Sequence, residues 1–545
     1  MEKTWWKEAV AYQVYPRSFK DSNGDGIGDL NGVIEKLDYL HELGIDVIWL
    51  NPCYKSPNDD NGYDISDYYS IMEEFGTLDD FDRLLARAHE RNIRIIMDLV
   101  VNHTSDEHPW FVESRSSKDN PKRDYYIWRP AKGGKEPNNW ASFFTPSAWK
   151  YDETSGEYYL HLFSVKQPDL NWECEKMRNE IYKMMAWWCE RGIDGFRLDA
   201  INAIKKRPGL PDSEKGEMNP DGYVFDPDMI LNNDGVAGFL KEMNEKIFTP
   251  YRVMSVGETS YVTPEMALDL VDEKKKIVNM LFHFEVVDSK EFLTLPLMKE
   301  IHQKWYAALH GRGWQSQYLS NHDQPRQVSV YGNDGEFREA SAKLLGTMIH
   351  TLPGTPFIYQ GEEIGMTNLF FHSIEEFNDI NSRHQYDQMI KNGMSSADAL
   401  VWLHRYSREN SRTPMQWDTS DNAGFSSGRP WLKVNPNFKE INVARALGDD
   451  NSILRYYQKL ISLRKSEPAI VYGDYKDLLP DDSRLYIYER SLDGRFIRVI
   501  LNFSDESIPL MQPFTEGYAA VLCNYHSAEK KVAALRPWGA LVMKR

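Results

Sequence analysis

Short apolar strands alternate with amphipathic helices through the first three-quarters of this 545-residue chain, and no other feature limits its fold as tightly. AVAYQVYP (9–16) reads as a strand, and GVIEKLDYLHELG (32–44) sets Val33, Leu37, Leu40 and Leu43 at helical spacing before a glycine stop. IDVIWL (45–50), the helix LDDFDRLLARAHERN (78–92) and IRIIMDLVV (93–101) continue the pattern. Strands that are apolar throughout need cover on both faces, as in a parallel sheet wrapped by helices. A helix over 176–191, with Ile181, Met184 and Trp188 on one stripe, leads into IDGFRLDA (193–200). VMSVGE (253–258), VNMLFHF (278–284), QSQYLSNHD (315–323) and TPFIYQGEEIG (355–365) bring the strand count to eight. Eight such units predict an α/β chain folded as a TIM (β/α)8 barrel, with its chemistry at the C-terminal strand ends.

Two stretches break the alternation. Residues 104–172 are polar, aromatic and punctuated by Pro and Gly, and the helix–strand pattern resumes after them, so they read as a loop-rich subdomain inserted after the third strand. From about 471 to 545 the pattern becomes short alternating strands without helices, which predicts a C-terminal antiparallel β-sandwich domain. The barrel is thus expected over 1–103 and 173–470. Composition then removes several function classes. A net charge of −18 with no basic cluster repels phosphate backbones, so a nucleic-acid partner is not expected. No apolar run is long enough for a membrane span, and the N-terminal segment lacks the apolar core of a secretory signal, so a cytoplasmic location is expected. Cys53, Cys174, Cys189 and Cys523 have neither metal-ligand nor disulfide spacing and read as reduced packing residues. Aromatic residues make up 13% of the chain, with 16 Trp and 30 Tyr, a supply of flat faces that suits sugar rings as well as cores.

Polar residues gather at the predicted strand ends. DLVVNHTSDEH, GFRLDAIN, VGET and LSNHD put Asp98, His103, Arg197, Asp199, Glu258, His322 and Asp323 around one mouth. A single acid at a strand end is most often a helix cap or an ion-pair partner. Four acids and two histidines on one rim exceed what capping requires. Arg197 and Asp199, two apart in an extended segment, share one strand face, and burying them is costly unless they are paired.

These motifs, in this order, resemble the signature regions of the α-amylase family of glycoside hydrolases. QPDLNW (167–172), ENSRTPMQW (409–417) and NGDGIGDL resemble the α-glucosidase and oligo-1,6-glucosidase branch of that family. The resemblance covers essentially the whole chain and implies a retaining, double-displacement hydrolysis. Asp199 matches the nucleophile, Glu258 the acid/base, and Asp323 the third carboxylate that grips sugar hydroxyls. In this scheme Arg197 is expected to hold the pKa of Asp199 down, while Glu258 keeps its proton at rest. His103 and His322 match hydroxyl-binding histidines, Tyr63 the stacking tyrosine, Asp64 a supporting acid, and Phe163 is a further substrate-side position. Asp60 in PNDDNGYDI and Arg408 in YSRENSR match the pair that binds the terminal sugar, which implies a closed pocket and release of glucose from non-reducing ends. The residue after the nucleophile is Ala200, where the branch tends to carry Val in α-1,6-preferring enzymes and Ala or Thr in α-1,4-preferring ones. The expectation is therefore an α-glucosidase favouring α-1,4 bonds. The alternatives are an oligo-1,6-glucosidase or a trehalose-6-phosphate hydrolase.

DSNGDGIGD (21–29) offers Asp21, Asn23, Asp25, the Ile27 carbonyl and Asp29 at the spacing of an EF-hand's first nine positions. Position twelve is Gly32 rather than glutamate and a strand precedes the loop, so it is not an EF-hand. The resemblance implies a structural Ca2+, with Mg2+ as the other ion such loops hold, and no cofactor for catalysis. Sucrose isomerases share the fold but carry an Arg-rich loop after the acid/base, where this chain has HFEVVDSKEF. Non-catalytic relatives in amino-acid transporters lose the acids and carry a membrane helix, unlike this sequence. A monomer acting on small oligosaccharides is expected.

Overall fold

The computed structural model describes residues 3–525 and 533–545. Eight parallel strands form the centre: β1 (Ala11–Val14), β2 (Val47–Leu50), β3 (Arg94–Leu99), β4 (Gly195–Leu198), β5 (Met254–Thr259), β6 (Met280–His283), β7 (Ser316–Gln317) and β8 (Thr355–Tyr359). They pair in the order β6-β5-β4-β3-β2-β1-β8-β7. The two ends meet where Ser316 Oγ donates to the Leu281 carbonyl at 3.0 Å, closing the barrel.

Alternation along each strand divides two cores. Phe196 and Leu198 of β4, with Ile95, Met97 and Leu99 of β3, pack outward against the helices. Val47, Trp49, Ile96, Met254, Val256, Met280 and Phe282 fill the interior. Along β3 and β5 the inward register that begins with Ile96, Met254 and Val256 continues to Asp98 and Glu258, and along β4 it runs from Gly195 to Arg197. A barrel interior is a packed stack of side-chain layers. Here the topmost layer is charged.

The expected helices form, with their apolar stripes buried. Thr77 and Asp80 make a reciprocal capping box at the start of Leu78–Glu90, and Glu175–Arg191 ends on Gly192 at φ 107°. The 32–44 segment departs from one helix: it splits at Lys36 into Leu30–Glu35 and Leu37–Leu43. Between β3 and Glu175 a three-stranded antiparallel sheet (Trp128–Arg129, Trp149–Asp152, Glu157–Leu160) supports the inserted segment. The C-terminal strands β9 (Asp474–Asp477), β10 (Leu485–Leu492), β11 (Arg495–Asn502), β12 (Ala519–Cys523) and β13 (Ala540–Lys544) form one antiparallel sheet in the order β9-β10-β11-β13-β12. Tyr486, Tyr488 and Val499 face the barrel helices, while Ile487, Ile500 and Leu541 face a second layer that includes a two-stranded ribbon. All four cysteines are free thiols, and burial pushes Cys53 and Cys189 up to about 12. Among the described residues no helix is long and apolar enough to cross a membrane.

Candidate active site

The charged layer is organised by one guanidinium. Arg197, 1% exposed, reaches Asp98 at 2.7 Å and Asp199 at 2.6 Å through Nη1, and Glu258 at 2.6 Å through Nη2. Its Cζ lies 4.9 Å from the centre of the Trp49 ring, which floors the layer. The backbone after β4 adds a second tie. Ala200 takes φ 39°, ψ 39°, a left-handed turn, and from there its N–H donates to Glu258 Oε2 at 2.9 Å.

This sharing reverses one expectation. Burial pushes the Asp199 carboxyl above the usual carboxylate range against the pull of Arg197, and Glu258 and Asp98 push the same way. Arg197 fails to dominate because its single charge is divided among three acids. Asp323 behaves oppositely: burial opposes ionisation, yet His322, Arg408 and Arg412 hold it well below the ordinary value.

A second cation closes the far side. Arg408 Nη1 donates to Asp323 at 2.7 Å, and Nη2 to Asp60 at 3.0 Å and Asp379 at 2.6 Å. Arg412 Nη2 adds a 3.0 Å bond to Asp323. Phe144 lies 5.0 Å below the Arg408 guanidinium. Arg408 and Arg412 begin and end a single short turn, Arg408–Arg412, so both point into one cluster. Asp379 serves twice: Oδ2 caps the helix Ile380–Lys391 through Ser382, while Oδ1 accepts from Arg408.

Between these cations lies a cavity of about 400 Å3, lined by Asp60, Tyr63, His103, Phe163, Asp199, Ala200, Glu258, Asp323 and Arg408. Three other residues singled out from the sequence stand behind its wall. Arg197 lies beneath the acids. Asp64, fully buried, accepts from the Asp59 and Asp60 amides at 2.9 and 3.0 Å, and burial pushes it up to about 7. It therefore acts on the cavity through the backbone of Asp60. His322 is fully buried: Gln13 donates to its Nδ1 at 2.8 Å, which leaves the proton on Nε2, facing Tyr63 Oη at 2.6 Å and Asp323 at 2.9 Å. Tyr63 stacks on it at 5.2 Å and donates to Asp98 at 2.9 Å, which links the two charged clusters. His103 keeps its imidazole neutral, since burial holds it down to about 3, and its Nε2 donates to the Tyr63 carbonyl at 3.2 Å. Phe163 stacks on Phe143 at 5.0 Å, so the inserted subdomain supplies an aromatic wall.

Sequence reasoning missed Arg412, Asp379, Phe143 and Phe144. Arg412 carried a signal, four residues after Arg408 within a motif already singled out. Asp379 was masked by its ordinary appearance as a helix cap.

The proposed metal loop folds through its own amides. Asp21 accepts from Asn23, Gly24 and Gly26, Asn23 Oδ1 from Asp25, Asp25 from Ile27, and Asp29 from Ser22 and Gly32. Among the described residues no three His, Cys, Asp or Glu side chains converge as a metal-binding group. The five donors are nonetheless all hard oxygens, the kind that Ca2+ and Mg2+ take.

Barrels of this type carry out their chemistry at this end, and paired carboxylates across a sugar-sized cleft are the means by which glycosidic bonds are cleaved. Fold and site together define a glycoside hydrolase. Residues 13–473 match the family described as "Alpha amylase, catalytic domain", and the chain belongs to that alpha-amylase family. It is 53% identical to an oligo-1,6-glucosidase of Parageobacillus thermoglucosidasius, across 100% of this chain and 99% of the relative. It is 47% identical to an alpha-glucosidase of Pediococcus pentosaceus, across 99% and 98%. A crystal structure of Bacillus licheniformis trehalose-6-phosphate hydrolase superposes with a TM-score of 0.93 at 44% identity, covering 99% of this chain and 100% of that one.

Proposed function

We propose that this chain is a retaining α-glucosidase that removes single glucose units from the non-reducing ends of short oligosaccharides, with α-1,6 bonds as its principal target. The carrying observation is the buried Asp60–Arg408 pair, 3.0 Å apart, across one end of the cavity. A groove open at both ends fits internal cleavage, whereas a blocked end fits a chain terminus. The retaining assignment rests on Asp199 and Glu258 occupying adjacent nitrogens of one guanidinium, a placement that suits the short carboxyl separation of about 5–5.5 Å used in double displacement.

In this reading the Asp199 carboxylate attacks the anomeric carbon while Glu258 gives its proton to the departing glycosidic oxygen. Glu258 then takes a proton from water, which displaces the ester to Asp199 and releases glucose. The scheme needs one proton between the two acids at rest; burial and the nearby Glu258 and Asp98 raise the Asp199 carboxyl against the pull of Arg197, which disfavours two full charges side by side. Asp323, kept ionised by its cations, accepts sugar hydroxyls, and Tyr63, His103 and Phe163 line the glucose. Asp60→Ala should lower kcat/KM on a disaccharide by at least ~100-fold, since one buried polar anchor to sugar is lost, while the fold is kept because Arg408 retains Asp323 and Asp379 as partners. Full activity in that variant would remove the blocked-end argument.

The α-1,6 preference follows the oligo-1,6-glucosidase relatives, whereas Ala200 favours a second reading, α-1,4 cleavage. Initial rates on isomaltose and maltose decide between them. Ala200→Val should raise the isomaltose-to-maltose ratio by up to ~10-fold, the scale of one added contact. It should also lower the melting temperature, because a β-branched side chain fits poorly at φ 39°. An unchanged ratio would dismiss Ala200 as a linkage determinant.

The 21–29 loop is proposed to hold Ca2+ through Asp21, Asn23, Asp25, the Ile27 carbonyl and Asp29, with Mg2+ as the other ion of the same chemistry. No catalytic step runs through it. Chelation should lower the melting temperature by several degrees and added Ca2+ should restore it, with kcat at 25 °C largely kept. A melting temperature indifferent to both would leave the loop as a turn closed by its own amides.

A further inference from the structure

The glucose-holding end of the cavity accounts for Asp60, Tyr63, His103 and Arg408, but the same cavity has an exposed aromatic lining residue that takes no part in that grip. Tyr261 lies three residues beyond Glu258 and lines the same cavity. Phe144 is buried there, whereas Tyr261 is 55% exposed, which marks its side as the mouth. Its backbone is held at φ 52°, a conformation that a bulky aromatic residue rarely adopts.

That conformation is held by a dedicated amide network. Asn232 Nδ2 donates to the Tyr261 carbonyl at 2.9 Å and to the Ser260 carbonyl at 3.2 Å. Asn202 Nδ2, from the β4 motif, donates to the Ser260 carbonyl at 2.7 Å and to Asn232 Oδ1 at 3.0 Å. Behind the tyrosine the Phe225 ring sits 6.0 Å away, tilted by 53°. Strained backbone persists where its surroundings over-determine it, and such positions cluster at ligand sites. Here two buried or half-buried asparagines and a ring spend their contacts on fixing one exposed aromatic side chain.

We infer that Tyr261 is the binding platform for the leaving-group sugar, a specificity residue set by the Asn202–Asn232 network. The inference rests on the α-glucosidase reading. Glu258 protonates the glycosidic oxygen, so the departing ring leaves toward the cavity mouth, which the exposed Tyr261 marks. An apolar aromatic face meets the C–H face of a sugar regardless of linkage, while the phenol reaches its hydroxyls. Tyr261 then acts on binding of the departing ring and leaves the bond-breaking groups untouched.

The test compares isomaltose, which has a leaving sugar, with α-glucosyl fluoride, which has none. Tyr261→Asn keeps a residue that tolerates the left-handed backbone, and Tyr261→Phe keeps the ring. Tyr261→Asn is expected to lower the ratio of kcat/KM on isomaltose to that on glucosyl fluoride about tenfold, mainly through KM, with Tyr261→Phe close to wild type. Asn232→Ala should lower the same ratio, since it releases the platform. An unchanged ratio in Tyr261→Asn, or an equal fall on both compounds, would overturn the inference. Failure of the wild-type enzyme to hydrolyse glucosyl fluoride would overturn the α-glucosidase reading itself, and the inference with it.

Discussion

Asp199→Asn should lose turnover by on the order of 10^5 or more, the scale on which removal of a nucleophile is felt, while folding at least as stably as wild type. The two halves of this expectation have one cause. Asp199 is 7% exposed, and burial, Glu258 and Asp98 raise its carboxyl above the usual range although Arg197 opposes them. A carboxyl whose folded pKa exceeds its unfolded value of about 3.9 contributes stability below that value and loses it as pH rises through the folded pKa. At neutral pH the wild-type chain therefore bears the cost of an ionised group that the neutral amide lacks. Initial rates on isomaltose and thermal melts at pH 5 and pH 8 check both halves: the variant's advantage in melting temperature should grow with pH. A variant retaining more than a few per cent of activity would remove Asp199 from the nucleophile's role.

Arg197→Met should cost about 3–5 kcal/mol, because it leaves Asp98, Asp199 and Glu258 without their common cation. The acids respond by taking up protons, so their folded pKa values rise above the unfolded ones. By the same sign rule the variant's stability is retained at low pH and lost as pH rises. The gap in urea midpoint between wild type and Arg197→Met should thus be narrow near pH 5 and wide near pH 8. Arg197→Lys should fall between them, since one ammonium does not reproduce a fork serving three carboxylates. A gap that stays constant with pH would show that Arg197 acts through packing on Trp49 rather than through charge.

Some of this is legible in the sequence alone. IDVIWL, IRIIMDLVV and VMSVGE are apolar along both faces, and only a sheet covered on both sides accommodates such strands. The charged ends of β3, β4 and β5 then had one place to converge, the C-terminal mouth. The 32–44 helix was legible as a stripe but not as two helices, because a hydrophobic period does not register a single tightened residue such as Lys36. The C-terminal strands were legible as antiparallel, while the slight second layer, which includes a ribbon, depended on how the sheet docks against the barrel helices.

Within the site, local sequence specified which groups are present and tertiary structure specified how each is used. Periodicity placed Arg197 and Asp199 on one face, since side chains alternate along a strand. It could not indicate that Asp98 and Glu258, from neighbouring strands, would share that guanidinium and so reverse the direction of the Asp199 shift. Asp60 lies 348 residues from Arg408 and Asp379 lies 29 residues from it, and a carboxylate's neighbours are invisible to its sequence context. Ala200 looked like a small residue beside a nucleophile; the folded chain turns it left-handed and aims its amide at Glu258. The sequence by itself determined the barrel and the inventory of its mouth, because strand and helix periods are local properties. Only the tertiary structure decided the charge states and the blocked end, because both depend on distances between residues far apart in the chain.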